Sequence, residues 1–217
     1  MVSTTPQQPI TNLKGEQRVV IHHLSWESYL QILHALPNHR RTRLIYTNGT
    51  LEFIMPLEDH DFFGRMIGRF IYFLARELGR KIKTIGSTTL NYPDLDKGAE
   101  LDEGFYIQNQ PLVAGKTVDL SQDPPPDLVV EVDITHTDID KNRLYAAMGI
   151  GEFWRFNGQE LKIYQLQNQQ YIEVETSIAF SEVPKSWLYE FLENSRQDEL
   201  AAETTLCQHI RQKGVNQ

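Results

Sequence analysis

The chain has little of several features that mark common protein classes. Its 217 residues include one cysteine, Cys207, so no disulfide can form within the chain. No apolar run approaches the roughly 20 residues that a membrane-spanning helix needs, and the polar residues 1–8 lack the apolar core of a secretory signal. The formal net charge of -8 argues against broad phosphate-driven binding to nucleic acid. We therefore expect a cytoplasmic protein without membrane segments, in which any contact with nucleic acid is local.

Motifs for several common chemistries are also missing. The seven histidines show neither HxH nor HExxH spacing, and no CxxC occurs, which argues against a zinc site. The glycine-rich loops GxGxxG and GxxxxGK[ST] and the GxSxG elbow are absent as well. Chemistry in this chain is therefore expected to come from its carboxylates.

Hydrophobic periodicity predicts an alternation of helices and strands. Asn48-Gly49 between two apolar runs is the strongest short signal of a β-hairpin. A 3.6-residue period over 59–78 predicts a long helix that ends at Gly79, in which Gly64 and Gly68 allow a close neighbour. The other predicted elements are a helix over 26–36, strands over 81–90, 101–108 and 126–134, a helix from 137 or 138 to 148, a meander over 152–175 and helices between 184 and 213.

This order predicts an α/β or α+β fold, with a mixed β-sheet core flanked by helices. An N-terminal helix and hairpin precede the core, and a C-terminal helical tail follows it. We divide the chain into a flexible N-terminus over residues 1–15, one domain over 16–192 and a charged helical tail over 193–217.

The predicted strand over 126–134 combines a core composition with acidic side chains. Side chains alternate across a strand, so Leu128, Val130 and Val132 share one face, while Glu131 and Asp133 share the other. Burying carboxylates is unfavourable unless a cation compensates them. A divalent metal or a cationic side chain is therefore expected beside Glu131 and Asp133.

Asp102 heads the predicted strand over 101–108. If that strand pairs with the one that carries Glu131, the two carboxylates face each other across about 5 Å and repel unless a cation lies between them. Oxygen ligands and water favour Mg²⁺. The alternatives are that Asp102 is a solvated acid at a strand end, and that Glu131 pairs with a buried Arg or Lys and only holds the core.

Five side chains besides Asp102 and Glu131 are candidates near this site. Lys141, in the first turn of the next helix, is long enough to return to the strand and orient water, although a helical lysine is more often solvated. Tyr145 lies on the same helical face, where a tyrosine more often belongs to the core. His60 and Asp61 open the long helix and either complement its dipole or reach the rim of a metal site. Asp133 either caps the next loop or supports the metal ligands.

Together these segments resemble the Uma-two family of proposed endonucleases, a family long described as a domain of unknown function. The resemblance covers most of the chain and depends on the order and spacing of six segments: His60-Asp61, Gly86-Ser87-Thr88-Thr89-Leu90, Leu101 to Ile107, Pro126 to Val132, Lys141 to Tyr145 and Gly149 to Arg155.

The resemblance implies a restriction-endonuclease-like core of the PD-(D/E)xK type that binds Mg²⁺ or Mn²⁺. It implies metal binding by Asp102 and Glu131, with Lys141 completing the site. Leu101 stands where the family pattern has proline, and Asp133 stands where many nucleases have the catalytic lysine. Lys141 then corresponds to a lysine that has migrated to the following helix.

The leading hypothesis is a Mg²⁺-dependent endonuclease that hydrolyses DNA phosphodiester bonds. Because many restriction-type nucleases cut two strands as dimers, the resemblance also suggests a homodimer. One alternative is a binding module that keeps the fold without turnover. The other is a regulatory protein that acts through its charged C-terminal helix and an oligomer interface.

Overall fold

A computed structural model describes residues 13–37, 39–86 and 88–214 of the chain. Residues 1–12, which belong to the predicted flexible N-terminus, lie outside the described residues. So do residues 215–217, which end the predicted tail. In the described part, eleven strands form two sheets. None of the helices there combines the length and the apolar character that crossing a membrane requires.

The first sheet is antiparallel throughout. Its strands, in spatial order, are β1 (Glu16–Ile21), β3 (Thr50–Pro56), β2 (Arg43–Thr47), β6 (Lys97–Glu100) and β5 (Thr89–Tyr92). A hairpin joins β2 to β3 as predicted, because both turn residues have the positive φ that a type I′ turn requires: 50° at Asn48 and 78° at Gly49.

The second sheet is the predicted mixed sheet. Its strands, in spatial order, are β11 (Gln170–Val174), β10 (Leu161–Gln167), β9 (Glu152–Phe156), β8 (Leu128–Val132), β7 (Glu103–Tyr106) and β4 (Lys83–Thr84). Only β8 and β9 pair in parallel among the described strands, and a helix crosses between them. This β-α-β unit places the start of the helix close to the carboxyl end of β8.

Six α-helices surround the sheets in the described part of the chain: α1 (Trp26–Ala35), α2 (Glu58–Glu77), α3 (Gln110–Val113), α4 (Lys141–Ala147), α5 (Lys185–Ser195) and α6 (Glu199–Gly214). Helices α2, α5 and α6 cover one face of the second sheet, where Val130 and Val132 pack against Phe63 and Ile67. Leu206 of α6 belongs to this cluster, so the C-terminal helix packs against the core.

The opposite face of the second sheet meets α4 and the first sheet. Val129 and Phe153 of the second sheet share a buried cluster with Leu144 and Tyr145 of α4 and with Ile45 of the first sheet. Helix α1 covers the other side of the first sheet through Tyr29. The strand that bears the acids is therefore enclosed on both faces.

The structure corrects three details of the sequence interpretation. The single strand predicted over 81–90 is wrong, since β4 and β5 belong to different sheets. The predicted loop over 91–99 contains most of β6, and the chain bends at Leu101 and Asp102 as it passes from the first sheet to the second. Helix α4 is capped by Asp140, which accepts a hydrogen bond from the Arg143 N–H at 3.0 Å, rather than by Thr137 or Asp138.

Candidate active site

Strand β8 carries Glu131, and the residue just after the strand is Asp133; both lie in the interior on the side of α4. Glu131 is 1% exposed and Asp133 is 4% exposed. The apolar residues that alternate with them, Val130 and Val132, belong to the cluster on the α2 side. Two carboxylates at this depth require cationic partners, and the structure supplies them from several elements.

Lys141 is the shared partner of both acids. Its Nζ donates hydrogen bonds to Glu131 Oε2 at 2.6 Å and to Asp133 Oδ1 at 2.7 Å, and the side chain is 1% exposed. Burial alone would lower the pKa of Lys141, but the charges of Asp133 and Glu131 outweigh it and raise the pKa above its usual value. Lys141 is therefore an ammonium group, suited to holding negative charge and donating hydrogen bonds rather than to accepting a proton.

Tyr145, one helical turn after Lys141, fixes the other oxygen of Glu131. Its hydroxyl donates to Glu131 Oε1 at 2.6 Å. Burial, followed by the charge of Glu131, raises the pKa of Tyr145 well above its usual value, so the phenol stays protonated. The i, i+4 spacing in α4 thus holds Glu131 from both sides.

Asp102 lies beside the backbone of β8. Its Oδ2 accepts a hydrogen bond from the Val132 N–H at 2.8 Å, and its Oδ1 pairs with the Arg43 guanidinium. The pairing of β7 with β8 ends at Glu103 opposite Val130, so Asp102 lies just beyond the ladder at the end where Glu131 follows Val130. Asp102, Glu131 and Lys141 thus lie at the same end of the second sheet.

His60 in the first turn of α2 supports Asp102. Its Nε2 lies 3.3 Å from Asp102 Oδ2, and the side chain is 2% exposed. Burial, reinforced by the positive charge of Arg43, lowers the pKa of His60 to about 4, so the imidazole is neutral at neutral pH. A neutral ring can donate from Nε2 to Asp102, and its Nδ1 has no hydrogen-bond partner among the described residues.

Asp133 connects three cations. Besides Lys141, it accepts hydrogen bonds from Arg18 Nη2 at 2.7 Å and from Arg155 Nε at 2.9 Å. Burial by itself would raise the pKa of Asp133, but the charges of Lys141, Arg155 and Arg18 outweigh it and lower the pKa to about 2. Asp133 therefore organises the charges around the site and does not cap the loop.

The first sheet completes this network through Arg18 of β1. Arg18 Nη1 donates to Glu52 Oε2 of β3 at 2.7 Å, and Nη2 donates to Glu16 Oε1 at 2.7 Å. Thr137 Oγ1, in the loop after β8, donates to Glu52 Oε2 at 2.8 Å. The two sheets are thus joined by buried charge pairs around Asp133.

The depressed pKa of Asp133 predicts a specific acid sensitivity. A carboxylate with a folded pKa of about 2 and a usual value of 3.8 stabilises the fold above the usual value, and this contribution is lost as the pH falls from about 4 to 2. Its size is on the order of 2 kcal/mol. We expect the free energy of unfolding to fall less steeply with acid over this range in Asp133→Asn than in the unchanged chain, measured by urea unfolding at each pH. Equal slopes would contradict the assignment.

Two other acids lie apart from these contacts. Asp61 lines a separate pocket with Arg40 to Arg43, and no contact joins it to Glu131 or Lys141 in the described part of the chain. Asp127 is half-buried and accepts hydrogen bonds from the Ile107 and Asn109 N–H groups at 2.6 and 2.9 Å. Asp127 therefore holds a loop rather than lying exposed at the mouth of the strand.

The sequence interpretation missed five charged residues in this network: Glu16, Arg18, Arg43, Glu52 and Arg155. Two of them carried the signal that drew attention to Glu131, a charge inside an apolar strand. Glu52 stands within Leu51-Glu52-Phe53-Ile54, and Arg155 stands between Trp154 and Phe156. Each predicts a buried ion pair, but not the partner.

Glu103 follows Asp102 and faces α2. An added Cβ at Gly68 would lie 3.1 Å from the Glu103 carboxyl carbon, so the glycine provides the close approach that the sequence suggested. Burial raises the pKa of Glu103 to about 7, although Arg43 and Arg65 oppose the shift. Glu103 therefore changes charge near neutral pH beside the candidate site.

Asp102 and Glu131 would be the protein ligands of a metal at this site. Their carboxylate oxygens are hard donors of the kind that Mg²⁺ and Mn²⁺ prefer, and each oxygen has lone pairs beyond the hydrogen bond it accepts. The described residues contain no cluster of three or more acidic, histidine or cysteine side chains that could hold a metal. Two carboxylates are a donor set that Mg²⁺ accepts, because it keeps several of its waters when one or two carboxylates bind it.

The fold is that of a protein with a restriction-endonuclease-like core. A match to the family model described as "Uma2: Putative restriction endonuclease" covers residues 26–198, which is more than half of the chain. The chain therefore belongs to the Uma2 family, and the resemblance inferred from its motifs is confirmed.

A solved structure shows the same fold. It is the crystal structure of a putative nuclease belonging to DUF820 from Anabaena variabilis ATCC 29413, with a TM-score of 0.52 and 13% sequence identity. The alignment covers 78% of this chain and 99% of that chain. No curated protein matches the sequence.

Proposed function

We propose that the chain is a Mg²⁺- or Mn²⁺-dependent endonuclease that hydrolyses phosphodiester bonds in DNA. The observation that supports the proposal is that Asp102, Glu131 and Lys141 lie at one end of the second sheet. Lys141 Nζ lies 2.6 Å from Glu131, and Asp102 bonds to the backbone N–H of the residue after Glu131. Two carboxylates beside an ammonium group are the arrangement that the family resemblance implies.

The side chains have separable roles in this proposal. Asp102 and Glu131 hold the metal, which when bound stabilises negative charge on the phosphoryl group and makes water a better nucleophile. Lys141 donates hydrogen bonds to the developing negative charge and orients the attacking water. His60 and Tyr145 are positioning residues, because each fixes one carboxylate through a hydrogen bond.

Phosphodiester cleavage by this arrangement depends on positioning and charge more than on covalent chemistry. Lys141 is held by two acids, Glu131 and Asp133, so its ammonium group has little freedom to move. Arg18 and Arg155 also offset the charge of Asp133, so Asp133 neutralises less of the positive charge of Lys141 than it would in a simple ion pair.

An endonuclease that cuts both strands is expected to act as a homodimer.

A binding module without turnover is the second candidate, and one observation favours it. Each candidate carboxylate already has an internal cation: Asp102 pairs with Arg43, Glu131 pairs with Lys141, and Asp133 pairs with Arg18 and Arg155. A network whose acids are all paired without metal can hold a fold together for contact alone. Metal binding by the purified chain separates the two candidates.

We expect the full chain to bind Mn²⁺ or Mg²⁺ in calorimetric titration and to nick or linearise supercoiled plasmid DNA in the presence of either ion. Chelation with EDTA should abolish cleavage, because the site then lacks the charge that stabilises the transition state. The measurement is the fraction of plasmid converted with time, with a parallel titration against Ca²⁺. The absence of both metal binding and cleavage in a folded chain would favour the binding module, and metal binding without cleavage would contradict the hydrolytic role.

A further inference from the structure

We infer that a pocket beside Asp102, lined by Arg40, Arg41, Thr42 and Arg43, binds a backbone phosphate of the nucleic acid. This arginine pocket has a volume of about 280 Å³, and its remaining lining residues are Pro56, Asp61 and Glu100. Pockets for drug-sized ligands start at about 300 Å³. The arginine pocket therefore suits a small group such as a phosphate. The inference rests on the proposed action on DNA.

Glu100 fixes the shape of the arginine pocket. It accepts a hydrogen bond from Arg40 Nη2 at 2.5 Å and another from the Leu44 N–H at 2.7 Å, so it ties the chain segment before β2 to β6. The Thr89 hydroxyl donates to Glu100 as well, at 3.0 Å. The Arg40 guanidinium is thus held in place by Glu100.

The charge of the pocket favours an anion. Arg40 is paired with Glu100 and Arg43 with Asp102, so Arg41 is the guanidinium of the pocket that is left to face an anion. Arg41 is exposed and has no ion pair within the described ranges. The Nε of Arg40 is buried without a hydrogen-bond acceptor among the described residues. Phosphate oxygens would supply acceptors for both side chains.

The position of the arginine pocket connects it to the proposed cleavage site. Arg43 lines the pocket and also pairs with Asp102, one of the two candidate metal ligands. A DNA strand whose scissile phosphate lies at Asp102 and Glu131 would therefore present a neighbouring phosphate to Arg41. Phosphate contacts of this kind fix the register of a protein on its duplex.

The overall charge of the chain makes such a pocket necessary for DNA binding. A net charge of -8 repels DNA at long range, so binding requires local cations that face the backbone. Arg65, an exposed residue one helical turn after Asp61 on α2, adds a further positive charge near the same end of the helix.

The test compares two substitutions that each remove one exposed positive charge. Arg41→Gln alters the arginine pocket, whereas Lys81→Gln alters a position beyond the far end of α2, a helix of 20 residues and therefore about 30 Å long. Binding of a fluorescent DNA duplex to the full chain is measured by anisotropy in EDTA, so that no cleavage occurs, at several salt concentrations.

Arg41→Gln should weaken binding about five- to tenfold and reduce the slope of log affinity against log salt by about 1, as expected for one lost phosphate contact. Lys81→Gln should leave both quantities close to those of the unchanged chain. Equal effects of the two substitutions, or none from Arg41→Gln, would overturn the inference.

The outcomes also separate this inference from the proposed function. Metal-dependent plasmid cleavage by the unchanged chain, together with unaltered DNA binding by Arg41→Gln, would leave the endonuclease standing and remove the phosphate pocket. Weaker binding by Arg41→Gln in a chain that never cleaves would support the pocket and contradict the endonuclease. A chain that binds no DNA would overturn both.

Discussion

Glu131→Gln should lower metal-dependent plasmid cleavage by more than about 100-fold while the chain stays folded. Residues that only support a metal ligand contribute 10- to 100-fold in affinity or activity, so the loss of a ligand should have a larger effect. Gln keeps the shape of Glu131 and can accept the Tyr145 hydrogen bond, but it lacks the charge that would hold the metal. The measurement is the initial cleavage rate in Mg²⁺ and in Mn²⁺, together with the affinity for Mn²⁺ by calorimetry.

Glu173→Gln is the matched control, because Glu173 lies exposed on β11 of the same sheet and pairs only at the surface with Lys162. The control should cleave at the rate of the unchanged chain. Circular dichroism and the melting temperature show whether each variant folds. Cleavage by a folded Glu131→Gln chain at the unchanged rate would refute the role of Glu131.

Lys141→Met should destabilise the fold by about 3–5 kcal/mol. The substitution removes the ammonium group that lies between Glu131 and Asp133, and breaking one side of a buried ion pair leaves an uncompensated charge. Asp133 keeps Arg18 and Arg155, but among the described residues Glu131 keeps only the Tyr145 hydroxyl. The measurement is the free energy of unfolding in urea at neutral pH.

A double substitution identifies the source of that loss. Lys141→Met alone leaves the buried Glu131 carboxylate without its cation, and adding Glu131→Gln removes that unpaired charge. The double variant should therefore be more stable than Lys141→Met alone by at least about 1 kcal/mol. Lys162→Met, at an exposed position on β10, should stay within about 0.5 kcal/mol of the unchanged chain. Strictly additive effects of the two buried substitutions would show that Lys141 and Glu131 are not coupled.

The sequence predicted the parts of the fold that local chemistry decides. Asn48-Gly49 specified a hairpin because few other residue pairs accept positive φ at both turn positions. The alternation in β8 placed Glu131 and Asp133 on one face, and the spacing of Lys141 and Tyr145 placed both on one side of α4. These features depend on residues close together in the chain.

The features that the sequence did not predict depend on distant partners. Nothing local to Arg18 indicates that it meets Asp133, which lies 115 residues later. The bend at Leu101 and Asp102 was interpreted as continuous strand, because an apolar residue beside an acid gives no turn signal. It is this bend that moves Asp102 out of the ladder and toward the Val132 N–H. The ion pairs of Glu131 and Asp133 with internal cations were foreseen as an alternative to a metal, whereas Asp102, expected otherwise to be a solvated acid, pairs with Arg43.

Part of the site lies on strand β1, upstream of the residues that the family model matches. The family match begins at residue 26, whereas Arg18 and Glu16 lie upstream of it. A protein trimmed to the family limits would lose the guanidinium that bridges Glu52 and Asp133, and these two buried acids would then compete for the remaining cations. The smallest fragment able to preserve the charge balance of the site therefore reaches back at least to Glu16.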